Sequence, residues 1–175
     1  MAIKAADVKK LRDATGAGMM DAKKALTEAD GDFDKAVDLL RVAGQAKAAK
    51  RSDREAANGL VVGAGNALVQ IGSETDFVAK NADFVATADK IAKAVDVAKA
   101  DSKDAAAQVQ LDDGKTVAQT LEDLAGTIGE KIELADAAYF EGNAHIYLHR
   151  RSQDLPPQVG VMVEYTGEDL SLIHI

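Results

Sequence analysis

Apolar residues recur at helical spacing through the first third of the chain. In "IKAADVKKLRDA", residues 3–14, Ile3, Val8, Leu11 and Ala14 share one side, which predicts a helix. The "TGAG" of Thr15–Gly18 interrupts it. "MMDAKKALTEAD" resumes the pattern with Met19, Ala22, Ala25 and Leu26, and Asp30-Gly31 ends it. A third helix starts at Phe33 behind Asp32 as N-cap, with Phe33, Ala36, Val37 and Leu40 as its stripe. Three short helices with tight turns predict a compact unit over residues 1–45. The pattern then lapses. "GQAKAAKRSDREAA" has no large apolar residue before Leu60, and Gly44 weakens a helix there. Residues 46–57 therefore read as a linker or helix extension.

From residue 58 the spacing changes. Leu60–Val62 and Ala67–Ile71 flank "GAGN", which predicts a β-hairpin. A helix is predicted from about Phe77 to Lys99, with Val78, Phe84, Ala88, Ile91 and Val95 inward. "DSKDAAAQVQLDDGK" suggests a short helix and a loop. "TVAQTLEDLAGTIGEK" predicts a helix with Val117, Leu121, Leu124 and Ile128 on its stripe and Gly129 as terminator. "IELADAAYF", "AHIYLHR" and "VGVMVEY" predict three strands. The fold class is α+β: a helical N-terminal unit, then an antiparallel sheet over 58–169 with helices on one face.

Composition narrows the chemistry. With 47% hydrophobic but only 4% aromatic residues, the core must be built from Ala, Val, Leu and Ile. The absence of Cys excludes disulfides and thiolate metal sites. No apolar run reaches the length of a membrane span, and the expected location is the cytoplasm. Residues 1–55 carry 12 Lys and Arg against 10 Asp and Glu, whereas residues 56–175 carry 9 against 19. An acidic chain is a poor general binder of nucleic acid. The exception is the basic strip Arg41–Arg54, which reads either as a solvated helix end or as a contact for an acidic partner or RNA.

No catalytic constellation emerges, so the chain is not expected to be an enzyme. The glycine clusters have the wrong spacing to cradle phosphate. His145 and His149 share a strand face, but no acidic residue nearby completes a metal set. Asp32, Asp34 and Asp38 lack the ligand series of a calcium loop and suit a helix start. No cofactor, metal or small-molecule substrate is expected.

Two stretches leave alternatives open. In "SETDFV", either Thr75 or Asp76 caps the long helix and Phe77 packs in its first turn, or Phe77 points outward beside Asp76. An exposed aromatic there is costly unless a partner buries it. The adjacent Met19 and Met20 cannot both face one core. Either one is a half-exposed filler, or the pair forms an adaptable contact surface.

"LRDATGAGMMDAKKALTEADGDFDKAVDLLR" resembles the N-terminal ubiquitin-associated-type three-helix domain of bacterial translation elongation factor Ts, and "SETDFVAKNADF" is similar to that family's Thr-Asp-Phe-Val segment. "IGEKIEL" and "HIYLHRR…VGVMVEY" also match, so the resemblance covers about residues 2–167. It implies a guanine-nucleotide exchange factor for elongation factor Tu. In the family an Asp-Phe pair inserts between two helices of the partner's GTPase domain and disturbs its magnesium site. Here that pair is Asp76 and Phe77, flanked by Thr75 and Val78. The same match implies contacts from Arg12, Met19 and Met20 and, from the core, Ile128, Gly129 and His149. It favours the outward reading of Phe77. Family members continue further, and "LSLIHI" does not resemble them, so Leu170–Ile175 is expected to be a non-native tail and the last strand to have an open edge. The other readings to test are an RNA-binding module using Arg41–Arg54 and a protein-binding adaptor without exchange activity.

Overall fold

A computed structural model describes residues 3–167; the suspected tail Leu170–Ile175 lies outside the described residues. The α+β class is as expected. Three helices lead: α1 (Ala5–Thr15), α2 (Met19–Glu28) and α3 (Phe33–Ala49). α1 stops where the Gly16 N–H donates to the Arg12 carbonyl at 2.8 Å. α3 starts where the Asp32 carboxylate accepts from the Lys35 N–H at 3.1 Å, the expected cap. Val8, Leu11, Ala22, Ala25, Leu26 and Ala36 are buried together, so the three stripes meet in one small core.

α3 does not weaken at Gly44. It runs on to Ala49 and packs against the later helix α7 (Val117–Ile128). The two glycines Gly44 and Gly126 touch backbone to backbone: a Cβ on Gly44 would stand 3.2 Å from the Gly126 Cα. The propensity cost of a helical glycine is about 1 kcal/mol. It is offset here by a close approach that a side chain at either glycine would crowd.

The hairpin β1 (Asn58–Ala64) and β2 (Ala67–Ser73) turns at Gly65-Asn66. Asp96 secures the turn by accepting from the Asn66 N–H at 2.8 Å. β3 (Ile132–Tyr139) adds to β2, giving the antiparallel order β1-β2-β3. On one face of this sheet lie α5 (Ala82–Ala98), α6 (Lys103–Gln108) and α7. Val69, Ile71, Phe84, Ile91, Val95, Val117 and Leu121 make the larger core between them.

β4 (Asn143–His149) and β5 (Val159–Tyr165) do not join that sheet; they pair with each other as a separate ribbon. Its inner face covers the other side of the first sheet, where a Cβ on Gly160 would meet Val61 and Leu68. Among the described strands β5 pairs only with β4. The Val61 N–H donates to the Pro157 carbonyl at 2.7 Å, a backbone link between the first sheet and the chain entering β5.

The long helix expected from Phe77 to Lys99 is in fact two. α4 (Asp76–Ala79) is one turn, and α5 begins anew behind Asn81. The Asn81 side chain accepts from the N–H groups of Asp83 (2.9 Å) and Phe84 (3.1 Å). An Asn that caps the next helix takes an extended backbone, so the preceding turn cannot continue through it.

Candidate functional site

Ser73–Phe77 leaves the central strand β2 and enters α4. Thr75, and not Asp76, is the N-cap, yet its side chain makes no capping bond. The hydroxyl donates instead across the molecule to Glu130, at 2.8 Å, and the Thr75 N–H donates to the same carboxylate at 3.0 Å. Glu130 follows the glycine that ends α7. Gly129 takes φ +82°, a left-handed setting that a side chain disfavours, and thereby turns the chain toward Thr75.

A second carboxylate returns the exchange. Glu74 accepts from the Lys131 N–H at 2.6 Å, from Arg54 Nη1 at 2.8 Å and from Arg51 Nη1 at 3.4 Å. The bonded Arg54 guanidinium holds the Glu74 carboxyl below its ordinary value, and the Lys131 N–H adds to that. The Glu74 carbonyl accepts from Asn58 Nδ2 at 2.9 Å. The hydroxyl of fully buried Ser73 donates to the Thr75 carbonyl at 2.9 Å. The turn before Phe77 is thus tied to β1, to the end of α7 and to the basic segment after α3.

The side chain at the end of this brace points outward. Phe77 is 78% exposed, while Val78 beside it is 5% exposed and Ala79 is fully buried. Of the two readings left open for Phe77, the ring stands in water as the outward one requires, while Val78 and Ala79 anchor α4 in the core. Val78, expected beside the pair at the contact, is buried in the core. Asp76 is half-exposed, with Lys80 Nζ at 3.8 Å.

The other expected residues fall into two groups. Met19 and Met20 open α2 and are 48% and 75% exposed, and Arg12 is exposed on α1. Ile128 and Gly129 line a cleft of about 550 Å³ whose other wall includes Gly18 and Asp21, the residues flanking the methionines. The bonds from Thr75 to Glu130 join the Phe77 turn to the end of α7, whose Ile128 and Gly129 share this cleft with the start of α2. His149 is not part of this. It is exposed on the outer face of β4, its Nδ1 3.2 Å from the Tyr147 hydroxyl.

Sequence reading missed Glu74, Glu130, Lys131, Arg51 and Arg54 as parts of one site. "SETDFV" and "IGEKIEL" contain three of them but lie more than fifty residues apart. Two cations of the basic strip are occupied by Glu74, and Arg41 lies 3.7 Å from Asp38. Among the described residues no three His, Cys, Asp or Glu side chains gather as for a metal ion. No described helix is long and apolar enough to cross a membrane.

The family profile described as Elongation factor TS matches residues 74–174, from Glu74 onward. An elongation factor Ts of Cutibacterium acnes is 74% identical over 174 residues, covering 99% of this chain and 64% of that protein. One from a Nocardioides species is 58% identical over 168 residues, covering 95% and 62%. One from Mycolicibacterium gilvum is 56% identical over 170 residues, covering 97% and 62%. The chain thus spans somewhat less than two thirds of the length of these relatives. With a profile match over more than half its length and 74% identity over nearly all of it, the chain belongs to the elongation factor Ts family.

Proposed function

We propose that this chain binds the GTPase domain of elongation factor Tu and promotes release of its GDP, with Phe77 as the wedge. The observation that carries this reading is the exposure of Phe77 on a braced turn whose next two residues are buried. An aromatic ring left in water gains by entering a partner, and a one-turn helix pinned by Val78 and Ala79 presents it in a set direction. Asp76 enters beside it. Met19, Met20 and Arg12 form the second contact, with Ile128 and Gly129 between the two. His149, on the outer face of the ribbon, is assigned to a separate edge of the interface.

Energetics divide the labour. A GTPase holds its nucleotide through a phosphate-cradling loop and Mg²⁺. Exchange factor and nucleotide must oppose each other reciprocally. Weakening nucleotide affinity ~10⁴-fold takes about 5.5 kcal/mol of differential binding. Burying one Phe yields about 1.5–3 kcal/mol. Docking through the three-helix unit and the core supplies the remainder, and Phe77 directs it at the metal site.

The RNA-binding reading is weaker, because Arg51 and Arg54 already serve Glu74. The test is release of labelled GDP from elongation factor Tu with and without this chain. Acceleration that saturates with chain concentration is expected. Binding without acceleration would mean an adaptor, and steeply salt-dependent RNA binding would restore the RNA reading.

A further inference from the structure

We infer that Glu130 and Glu74 are positioning residues that hold the Phe77 turn in its outward setting by exchanging carboxylate-to-amide hydrogen bonds between two loops. The inference rests on the exchange reading for its functional part and on geometry for the rest. Glu74, one residue before Thr75, accepts from the Lys131 N–H; Glu130, one residue before Lys131, accepts from the Thr75 N–H. Each loop therefore gives one carboxylate and one amide, and neither bond lies within a helix or a strand. The pair closes over a segment that regular structure leaves unsupported, since Thr75 makes no cap bond of its own.

The clamp also reaches the helical unit. Arg51 and Arg54, in the segment that leaves α3, bind the same Glu74 carboxylate, and Lys131 Nζ donates to the Arg54 carbonyl at 2.9 Å. The base of the wedge is thus fixed to the end of α7 and to the chain that carries the methionines. In this arrangement the clamp maintains the spacing between the two contacts, and it adds to Val78 and Ala79, whose burial anchors the four-residue α4, by fixing the chain that enters it.

The test uses the full chain with Glu130→Ala, Glu130→Gln, Thr75→Ser and Thr75→Val, the last removing the hydroxyl and keeping the amide. Three quantities are read: hydrogen exchange of the Thr75 amide, the fluorine signal of 4-fluorophenylalanine at position 77, and the saturation curve of GDP release from elongation factor Tu. Glu130→Ala is expected to speed Thr75 amide exchange and lower the maximal release rate, each by about 10- to 100-fold, the range for a hydrogen bond to a charged group. It should shift and narrow the fluorine signal and leave the half-saturating concentration within about twofold. Glu130→Gln and Thr75→Val should fall between Glu130→Ala and the parent, and Thr75→Ser, which keeps the hydroxyl, should retain the amide exchange and fluorine signal of the parent.

An unchanged fluorine signal in Glu130→Ala overturns the inference. So does a fall in maximal rate matched by an equal rise in half-saturating concentration, which a general loss of structure would produce. Should Glu130→Ala fail to fold, Thr75→Val carries the same comparison. If the parent chain does not accelerate release at all, the exchange reading fails, and the clamp is judged on amide exchange and the fluorine signal alone.

Discussion

Among the exposed apolar side chains of the described residues, Met20 and Phe77 each open a helix, and the two are built differently. Met20 at the start of α2 and Phe77 at the start of α4 are almost equally exposed, at 75% and 78%. Neither helix has a side-chain cap at its N-terminus. Behind the methionines is Gly18, whose carbonyl accepts from the Ala22 N–H at 2.9 Å, the ordinary first bond of a helix. Behind Phe77 are Glu74 of its own turn and, from three other segments, Glu130, two arginines and an asparagine. Methionine has several rotatable bonds and a polarizable sulfur, and adapts to what it meets. Phenylalanine is stiff, and here its base is stiff too. The methionine tip therefore suits docking, where many poses serve. The Phe77 tip suits a task that needs one direction.

Substitutions can separate the two. The largest expected effect is Phe77→Ala, which should lower the maximal rate of GDP release by about 100-fold, the upper part of what a buried Phe contributes. Its binding titration with elongation factor Tu should move far less; equal losses in both would make Phe77 an ordinary docking residue.

Next is the joint between the two regions. Gly44→Val places a branched side chain where a Cβ already crowds the Gly126 backbone. Overpacking of this kind costs about 1–3 kcal/mol. Proteolysis in the segment 50–57 should become faster, and thermal unfolding of the helical unit should separate from that of the core. A single unchanged transition would show that the helices part without cost.

Met20→Ala comes third. It should raise the half-saturating concentration about 3- to 10-fold, as loss of a partly buried side chain does, and leave the maximal rate alone. Met20→Leu should be nearly silent.

The smallest effect is one of acidity. Glu74 binds its proton less readily when folded than its ordinary value of 4.5 implies, chiefly because of Arg54. Its contribution to stability is therefore complete above that ordinary value and is lost as pH falls through the lower, folded value. Denaturation curves of the parent and of Glu74→Gln, taken from neutral pH downward, should converge in this acid range. Parallel curves would remove Glu74 from the clamp.

Much of the helical unit could be read in advance. The stripes of α1 to α3 supply the buried sets found, except that Ala14 and Met19, placed on them by spacing, are exposed, and Asp32 caps α3 as spacing suggested. α7 ends at Gly129 as predicted. The hairpin of β1 and β2 turns where the glycines and Asn stand. The break before α5 was also written in the chain, in Asn81, but helical spacing on both sides concealed it. Nothing local announced that β4 and β5 would form their own ribbon. A strand's apolar pattern says which face is buried and not which strand it pairs with.

The same division runs through the site. That residue 77 is aromatic, follows an acid and opens a helical turn is a matter of neighbours in the chain. Periodicity, caps and turn residues act over a few positions, and the order of amino acids is enough to specify them. Whether the ring lies in or out of the protein depends on Val78 and Ala79 reaching a core made by strands and helices from elsewhere. What braces it depends on Glu74 meeting Lys131 and on Glu130 meeting Thr75 once β2, β3 and α7 have packed. Partners separated by 55 and 57 positions are brought within hydrogen-bond range only by the closed fold.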